Sequence, residues 1–269
     1  VKVGLEPIKE SDWLEIDDLF NSEIELKKDL YDSHFNDIHK EVKESYEPQV
    51  ELLDVLETHL EQYHPNHKIT SVADSLPLKN ASLMVQEDLV LMLPRGEEYF
   101  LGAASLCAPS NWSLKEKFKN SLLGLHIHVP AYEKEIGSRV NNFFNNLPME
   151  KIFQRFNWSI YENSKLFQPA TSKSHIERSK TITEDNAGDR LFIRVERQTI
   201  RRLPKTQAIV FTIRVHINPL FSLKKDISLL TDLDQALENL SQEMKKYKSI
   251  DQIEVPLRGW LQKEIKKLG

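Results

Sequence analysis

The sequence predicts an α+β fold: an antiparallel sheet of about five strands, with helical extensions at both ends. Three observations predict it. Helical periodicity fills residues 11–62 and returns from 222. Two apolar runs, 81–94 and 97–109, flank Arg95-Gly96 as the arms of a hairpin would. Two long runs rich in β-branched residues, 190–203 and 207–217, follow one another across Pro204.

The elements follow in order. DWLEIDDLF (12–20) places Trp13, Ile16, Leu19 and Phe20 at helical spacing, with Asp12 as N-cap and Glu15 three residues on. Helices are expected around 22–44 and 47–62; in the second, Val50, Leu53, Leu56 and Leu60 make one stripe, and HPNHK (64–68) ends it. After the hairpin, SLKEKFKNSLLG (113–124) reads as a short helix capped by Ser113 and Glu116. YEKEIGSRVNNFFNNL (132–147) reads as another, with Ile136, Val140, Phe143, Phe144 and Leu147 inward. KIFQRFNWSIYE (151–162) is strand-like, and the polar stretch 168–189 is a loop. LTDLDQALENLSQEMKKYK (230–248) is amphipathic and helical. Two strands, a helical connection, then three antiparallel strands is the element order of a PAS domain, which cups a ligand between sheet and connection. The expected division is a helical extension at 1–70, the PAS-like core at 71–220, and helices packed on it from 221 to 269.

Composition narrows the function. The chain has 269 residues and a net charge of −5, which disfavours nucleic acid as partner. It has no apolar run of membrane-spanning length and no basic-then-apolar N-terminus. Cys107 is the only cysteine, so no internal disulfide or cysteine-based metal cluster is expected, and a reducing cytoplasmic setting is the simplest reading. With 8 glycines and no Gly-rich phosphate loop, autonomous nucleotide chemistry is not expected.

RVERQTIRRLP (194–204) is the unusual stretch. Arg190, Arg194, Arg197 and Arg201 recur at helical steps, yet Ile193, Val195, Thr199 and Ile200 are β-branched and Pro204 ends the run. On a strand, Phe192, Arg194, Glu196 and Gln198 share one side, and Ile193, Val195, Arg197 and Thr199 the other. Both sides mix apolar and charged groups. Either one face opens onto a polar cavity, or the arginines form a surface ladder paired with acids on neighbouring strands.

Five segments carry a resemblance: SLCAPSNW (105–112), KFKNSLLGLHIHVPAY (117–132), QRFNW (154–158), RVERQTIRRLP (194–204) and AIVFTIRVHINPL (208–220), with a weaker match at WLEIDDLF (13–20). In this order they resemble the heme-dependent oxidative N-demethylase α-subunit family, whose fold is PAS-like. The resemblance implies heme b, held by a histidine. His126 aligns with the family's Ile-His-x-x-Val-Pro; His128 is a departure, as rival iron ligand or propionate partner. In a heme pocket, Glu196 is a candidate to hold an ammonium substrate, and Arg197 and Arg194 are candidates to polarise O2, meet propionates or simply pair with Glu196. Asn157 and Trp158 would supply a donor and a wall, unless Trp158 packs in the core, and Arg201 and Arg202, near the strand end, would meet an acidic partner or propionates, or face solvent. The implied reaction is oxidation of a small methylated amine such as dimethylamine, with release of formaldehyde. The implied partners are the amine, O2 and a separate flavin and iron–sulfur reductase passing electrons from NADPH. The competing readings are a PAS sensor that binds heme or another small molecule without catalysis, and a relative that works as an interaction protein.

Overall fold

The fold is known from a computed structural model, which describes residues 4–67, 75–96, 98–110, 112–125, 142–169, 177 and 179–269. Its strands are β1 (Glu6–Ile8), β2 (His39–Glu41), β3 (Asp88–Arg95), β4 (Glu98–Ser105), β5 (Ile152–Tyr161), β6 (Phe192–Arg202) and β7 (Ile209–Pro219). Among the described residues they form one antiparallel sheet in the order β1-β5-β6-β7-β3-β4-β2. β3 and β4 are the expected hairpin. Gly96 at its turn has φ +65°, a conformation that a residue with a Cβ rarely adopts.

The sheet thus has seven described strands, not about five. The additions, β1 and β2, are three residues each, too short for alternation to register. β2 ends a stretch that reads as one helix: α1 covers Phe20–Ser33, Phe35–Ile38 adds a turn, and the chain then extends to pair with β4. β3 starts later than the apolar run from 81, because Pro77–Ser82 form a short helix with Pro77 in its first turn. Residues 113–124 do not form one helix. Two four-residue turns, Leu114–Lys117 and Leu122–Leu125, are separated at Lys119, whose φ is +65°, and Ser113 makes no side-chain cap. Most of the helix expected at 132–147 lies outside the described residues.

Alternation gives the sheet two faces. The first carries Gln154, Trp158, Arg197, Thr199, Arg201, Thr212, Arg214 and His216; the second carries Phe153, Arg155, Asn157, Arg194, Glu196, Gln198, Ile200, Phe211, Ile213 and Val215. Against the first face pack α2 (Tyr46–Tyr63), α3 (Pro77–Ser82) and the segment around Trp13, burying Leu52, Leu56, Leu60 and Leu78 on Leu89 and Leu91. The second face packs Ile200, Ile213 and Val215 with Leu114, Phe144 and Leu147. The C-terminal α4 (Ile227–Asn239), α5 (Gln242–Tyr247) and α6 (Glu254–Leu268) form a third cluster around Leu230, Leu257 and Trp260, which also takes in Ile160 and Leu191. No described helix is long and apolar enough to cross a membrane.

The expected helix over 12–20 is absent: a 3-10 turn at Glu10–Asp12 leads into irregular chain up to Phe20. The reason lies on the first face. Arg197 donates to the carbonyls of Asp12 and Trp13, the latter at 3.1 Å. Arg201 donates to Glu10 (2.7 Å) and lies over the Trp13 ring, 4.2 Å from its centre. Arg214 donates to Asp17 (2.7 Å) and Glu23 (2.9 Å), and His216 meets Glu15 at 2.8 Å. A helix would withdraw the two carbonyls into its own ladder and aim only one side of the segment at the sheet.

These pairings set a pH dependence. Burial raises the Asp17 carboxyl, but bonds from Gln86 and the Leu19 N–H, with Arg214 beside it, outweigh that and hold it below the usual carboxylate range. The hydrogen bond with His216 leads in lowering Glu15. A carboxyl lowered by folding contributes stability above its unfolded pKa and loses it as pH falls through the folded value. Urea unfolding is therefore expected to hold steady near neutrality and weaken in acid, below the ordinary values of 3.8 and 4.5. Arg214→Met, which strands Glu23 in the interior, is expected to cost about 3 kcal/mol or more at pH 7; a cost below about 1 kcal/mol would show that the pairing holds little.

Candidate functional site

The second face carries a polar island in an apolar field. Glu196, 7% exposed, is at its centre. Its Oε2 accepts from Gln198 Nε2 at 2.8 Å and from Asn157 Nδ2 at 3.2 Å; its Oε1 accepts from Ser110 Oγ. Register explains two of these contacts: Asn157 stands directly opposite Glu196 on β5, and Gln198 is two residues along β6. Ser110 arrives from 86 residues away in sequence.

Ser110 is placed by a lattice of buried charge. Asp88, 1% exposed at the start of β3, accepts the N–H groups of Cys107 (2.7 Å) and Ala108 (2.9 Å). Burial raises the Asp88 carboxyl to about 6, against the pull of Lys27 and those two N–H donors. Arg194, 1% exposed, donates through Nη2 to the Ala108 carbonyl (2.6 Å), through Nη1 to that of Lys165 (3.2 Å) and through Nε to Ser110 Oγ (2.9 Å). The SLCAPSNW segment is thus held at both ends of its bend, and Ser110 passes the guanidinium's polarisation on to Glu196. Tyr161 lies beneath Arg194, and burial pushes its hydroxyl up to about 12. Cys107 is buried and free; burial raises its thiol to about 12, as expected of a small apolar side chain and not of a thiolate ligand.

The sequence candidates fall on two sides. Glu196, Arg194 and Asn157 share the second face. Arg197, Arg201 and Trp158 stand on the first, separated from Glu196 by the sheet itself. Arg197 and Arg201 are occupied with the N-terminal segment. Trp158 packs beside the C-terminal helices, 5.3 Å from Lys248 Nζ. His126 and His128 lie outside the described residues. The surface-ladder reading of the charged strand does not hold. Arg194, Arg197, Arg202 and Arg214 are buried, which a surface ladder is not, and they mainly engage main-chain carbonyls and N-terminal acids, not acids on adjacent strands.

Three members escaped the sequence reading. Ser110 and Gln198 lie within quoted motifs; alternation puts Gln198 on the side of Glu196, but no spacing brings Ser110 to it. Lys248, at the end of α5, donates through Nζ to Asn157 Oδ1 (2.9 Å) and to the Trp158 carbonyl (2.6 Å). Burial lowers its pKa to about 8, against the pull of Glu196 and with repulsion from Arg155. It sits in a run of lysines on an amphipathic helix, where a sequence offers no reason to single it out.

A family model described as "Haem-dependent oxidative N-demethylase, alpha subunit-like" matches residues 4–257. The chain belongs to that family. Its name implies heme and an oxidative N-demethylation, and an α subunit implies a partner subunit. The second face fits such a group chemically. Trp112, Phe118, Phe143, Phe153, Phe211 and Ile217 are only partly buried there, an apolar surface suited to a macrocycle, next to a polar rim. His39 and His216 stand on the other face. A cavity of about 500 Å3 opens at a different place, beside β7 beyond the end of β3. Asp17, Glu23, Leu26, Leu166, Arg214 and His216 line it, and Glu196 does not.

Ser110→Ala removes the hydroxyl that joins Arg194 to Glu196 and leaves two buried charged groups each short of a partner. The expected loss is about 1–3 kcal/mol in chemical denaturation. Val195→Ala, on the opposite face of the same strand, should not reproduce the accompanying change at Glu196 in a carboxylate-selective NMR spectrum. An unchanged stability and spectrum in Ser110→Ala would contradict this geometry.

Proposed function

We propose that this chain is a heme-dependent, oxygen-activating oxidative N-demethylase. Its substrate would be a small methylated amine, dimethylamine in the simplest case, and one methyl group would leave as formaldehyde. The observation that carries the reading is the convergence on Glu196: Ser110 from SLCAPSNW, Asn157 from QRFNW and Gln198 from RVERQTIRRLP supply its three donors. Three of the five segments of the resemblance thus meet around one carboxylate, beside a partly buried apolar surface. The strand order supports a PAS-like core. With the edge strands set aside, the order is second, first, fifth, fourth, third, the arrangement the fold needs to cup a ligand on one sheet face.

In this reading His126, with His128 as the rival, would hold heme b, and Phe143, Phe153 and Phe211 would supply apolar surface for it. When bound it supplies the O2 chemistry that oxidises the N-methyl carbon. The chain does the rest. Glu196 attracts the protonated amine and orients it, since a largely buried carboxylate is best satisfied by a cation. Asn157, Gln198 and Ser110 fix the rotamer of Glu196, so orientation is settled before substrate arrives. Arg194 is a positioning residue, holding Ser110 and the chain around Ala108; Arg197 and Arg201 serve attachment of the N-terminal segment. Electrons would come from NADPH through a separate flavin and iron–sulfur reductase, in the cytoplasm.

Two variants test this. His126→Ala, expressed with heme supply, is expected to lose the Soret band that wild type shows. Glu196→Gln is expected to keep the band yet lose roughly ten- to a hundredfold in formaldehyde release from dimethylamine, the range for removing one charged hydrogen-bond partner. A wild type without a Soret band, or full turnover in Glu196→Gln, would sink the proposal.

A further inference from the structure

Glu196 keeps its place partly through the C-terminal helices. Asn157 has an acceptor end and a donor end, and the two are distinguishable only by their partners. Lys248 has donors and no acceptor, so its Nζ selects the Asn157 oxygen, at 2.9 Å. That choice turns the Asn157 NH2 toward Glu196 Oε2, at 3.2 Å. Lys248 is itself anchored by the Trp158 carbonyl at 2.6 Å and lies 5.3 Å from the Trp158 ring centre, so its place does not rest on the amide alone.

We infer that Lys248 is a positioning residue for Glu196: by gripping the Asn157 oxygen it holds the amide donor on the carboxylate, making the C-terminal helices part of the site. The inference rests on the proposed role of Glu196 for its catalytic meaning, though the orienting contact can be measured without heme or amine. The groups that face Lys248 are Glu196 from β6, Asn157 and Arg155 from β5, and Trp158 below it. Its ammonium attracts Glu196 and repels Arg155. Once neutral, the amine can accept as well as donate. It then no longer discriminates between the two ends of the amide, and the orientation of Asn157 is left to Glu196 alone, whose carboxylate accepts from the NH2 end. Burial puts that change near pH 8. It would therefore weaken the grip on Glu196 on the alkaline side of neutrality.

The experiment is NMR of the full-length apo protein with labelled asparagine, following the Asn157 side-chain NH2 pair from pH 6 to pH 10, with Asn157→Asp to assign it. Wild type is expected to show two separate signals that shift together with a midpoint about 8. Lys248→Met is expected to show displaced Asn157 signals at every pH, without the step, while the remaining asparagine signals report an intact fold. Lys248→Arg restores a donor that stays charged, so wild-type positions should return and the step should vanish from the range. If Lys248→Met fails to fold, Lys248→Arg alone decides, since a retained step would place the titration on another group. Unmoved Asn157 signals in Lys248→Met would overturn the inference. A failure of heme binding or demethylation with the NMR behaviour intact would instead count against the proposed activity.

Discussion

The molecule depends on guanidinium groups that reach out of a central strand pair and grip other chain segments by their main-chain oxygens. β6 and β7 lie in the middle of the sheet, where strands are covered on both faces. Such strands are normally apolar throughout. Here Arg194 holds the chain at Ala108 and Lys165, Arg197 holds it at Asp12 and Trp13, and Arg202 holds it at Phe144 and Leu147. Each guanidinium presents five N–H groups in a fixed fork, so one side chain can satisfy several carbonyls that irregular chain would otherwise bury without partners. A bond to a charged donor is worth about 1.5–3 kcal/mol net, against a desolvation cost of several kcal/mol per ion. The arrangement is therefore a device for fixing where the crossing segments lie more than a source of surplus stability.

That device explains why catalytic and structural readings of the strand are hard to separate. Arg194 and Arg197 are three residues apart and chemically identical, yet alternation sends them to opposite faces. One positions Ser110 beside Glu196; the other fixes the turn before Trp13. The same logic extends to Glu51 of α2, which accepts the N–H groups of Lys205 (2.6 Å) and Thr206 (2.8 Å) and so ties down the turn between the two strands. Two of the three donors to Glu196 are themselves anchored, Ser110 by Arg194 and Asn157 by Lys248, which favours a carboxylate that orients a ligand without first reorganising.

Much of the sheet was legible, because β3 to β7 are long enough for alternation, β-branching and turn residues to agree. β1 and β2 were not, since three residues carry no period. The first helix was misread for a different reason: DWLEIDDLF has helical spacing, but local propensity is weak beside the sheet arginines waiting for Glu10, Glu15 and Asp17. In the site, Glu196 and Asn157 stood out through strand motifs, and period two, carried one step further, separates Arg197, Trp158 and Arg201 from them. Ser110 and Lys248 come from remote segments, and no spacing rule brings residues 110, 157, 196 and 248 together. Those contacts are tertiary facts.

The central claim is that the arginines act as face-specific fasteners, and hydrogen exchange read by mass spectrometry tests it most directly. Arg194→Met should speed exchange in peptides covering 105–110 and 163–167 while leaving 10–23 protected; Arg197→Met should do the reverse. Uniform loosening of both faces by either variant, or no change in either region, would contradict the account, because the arginines would then be ordinary buried charges with no particular segment in their grip.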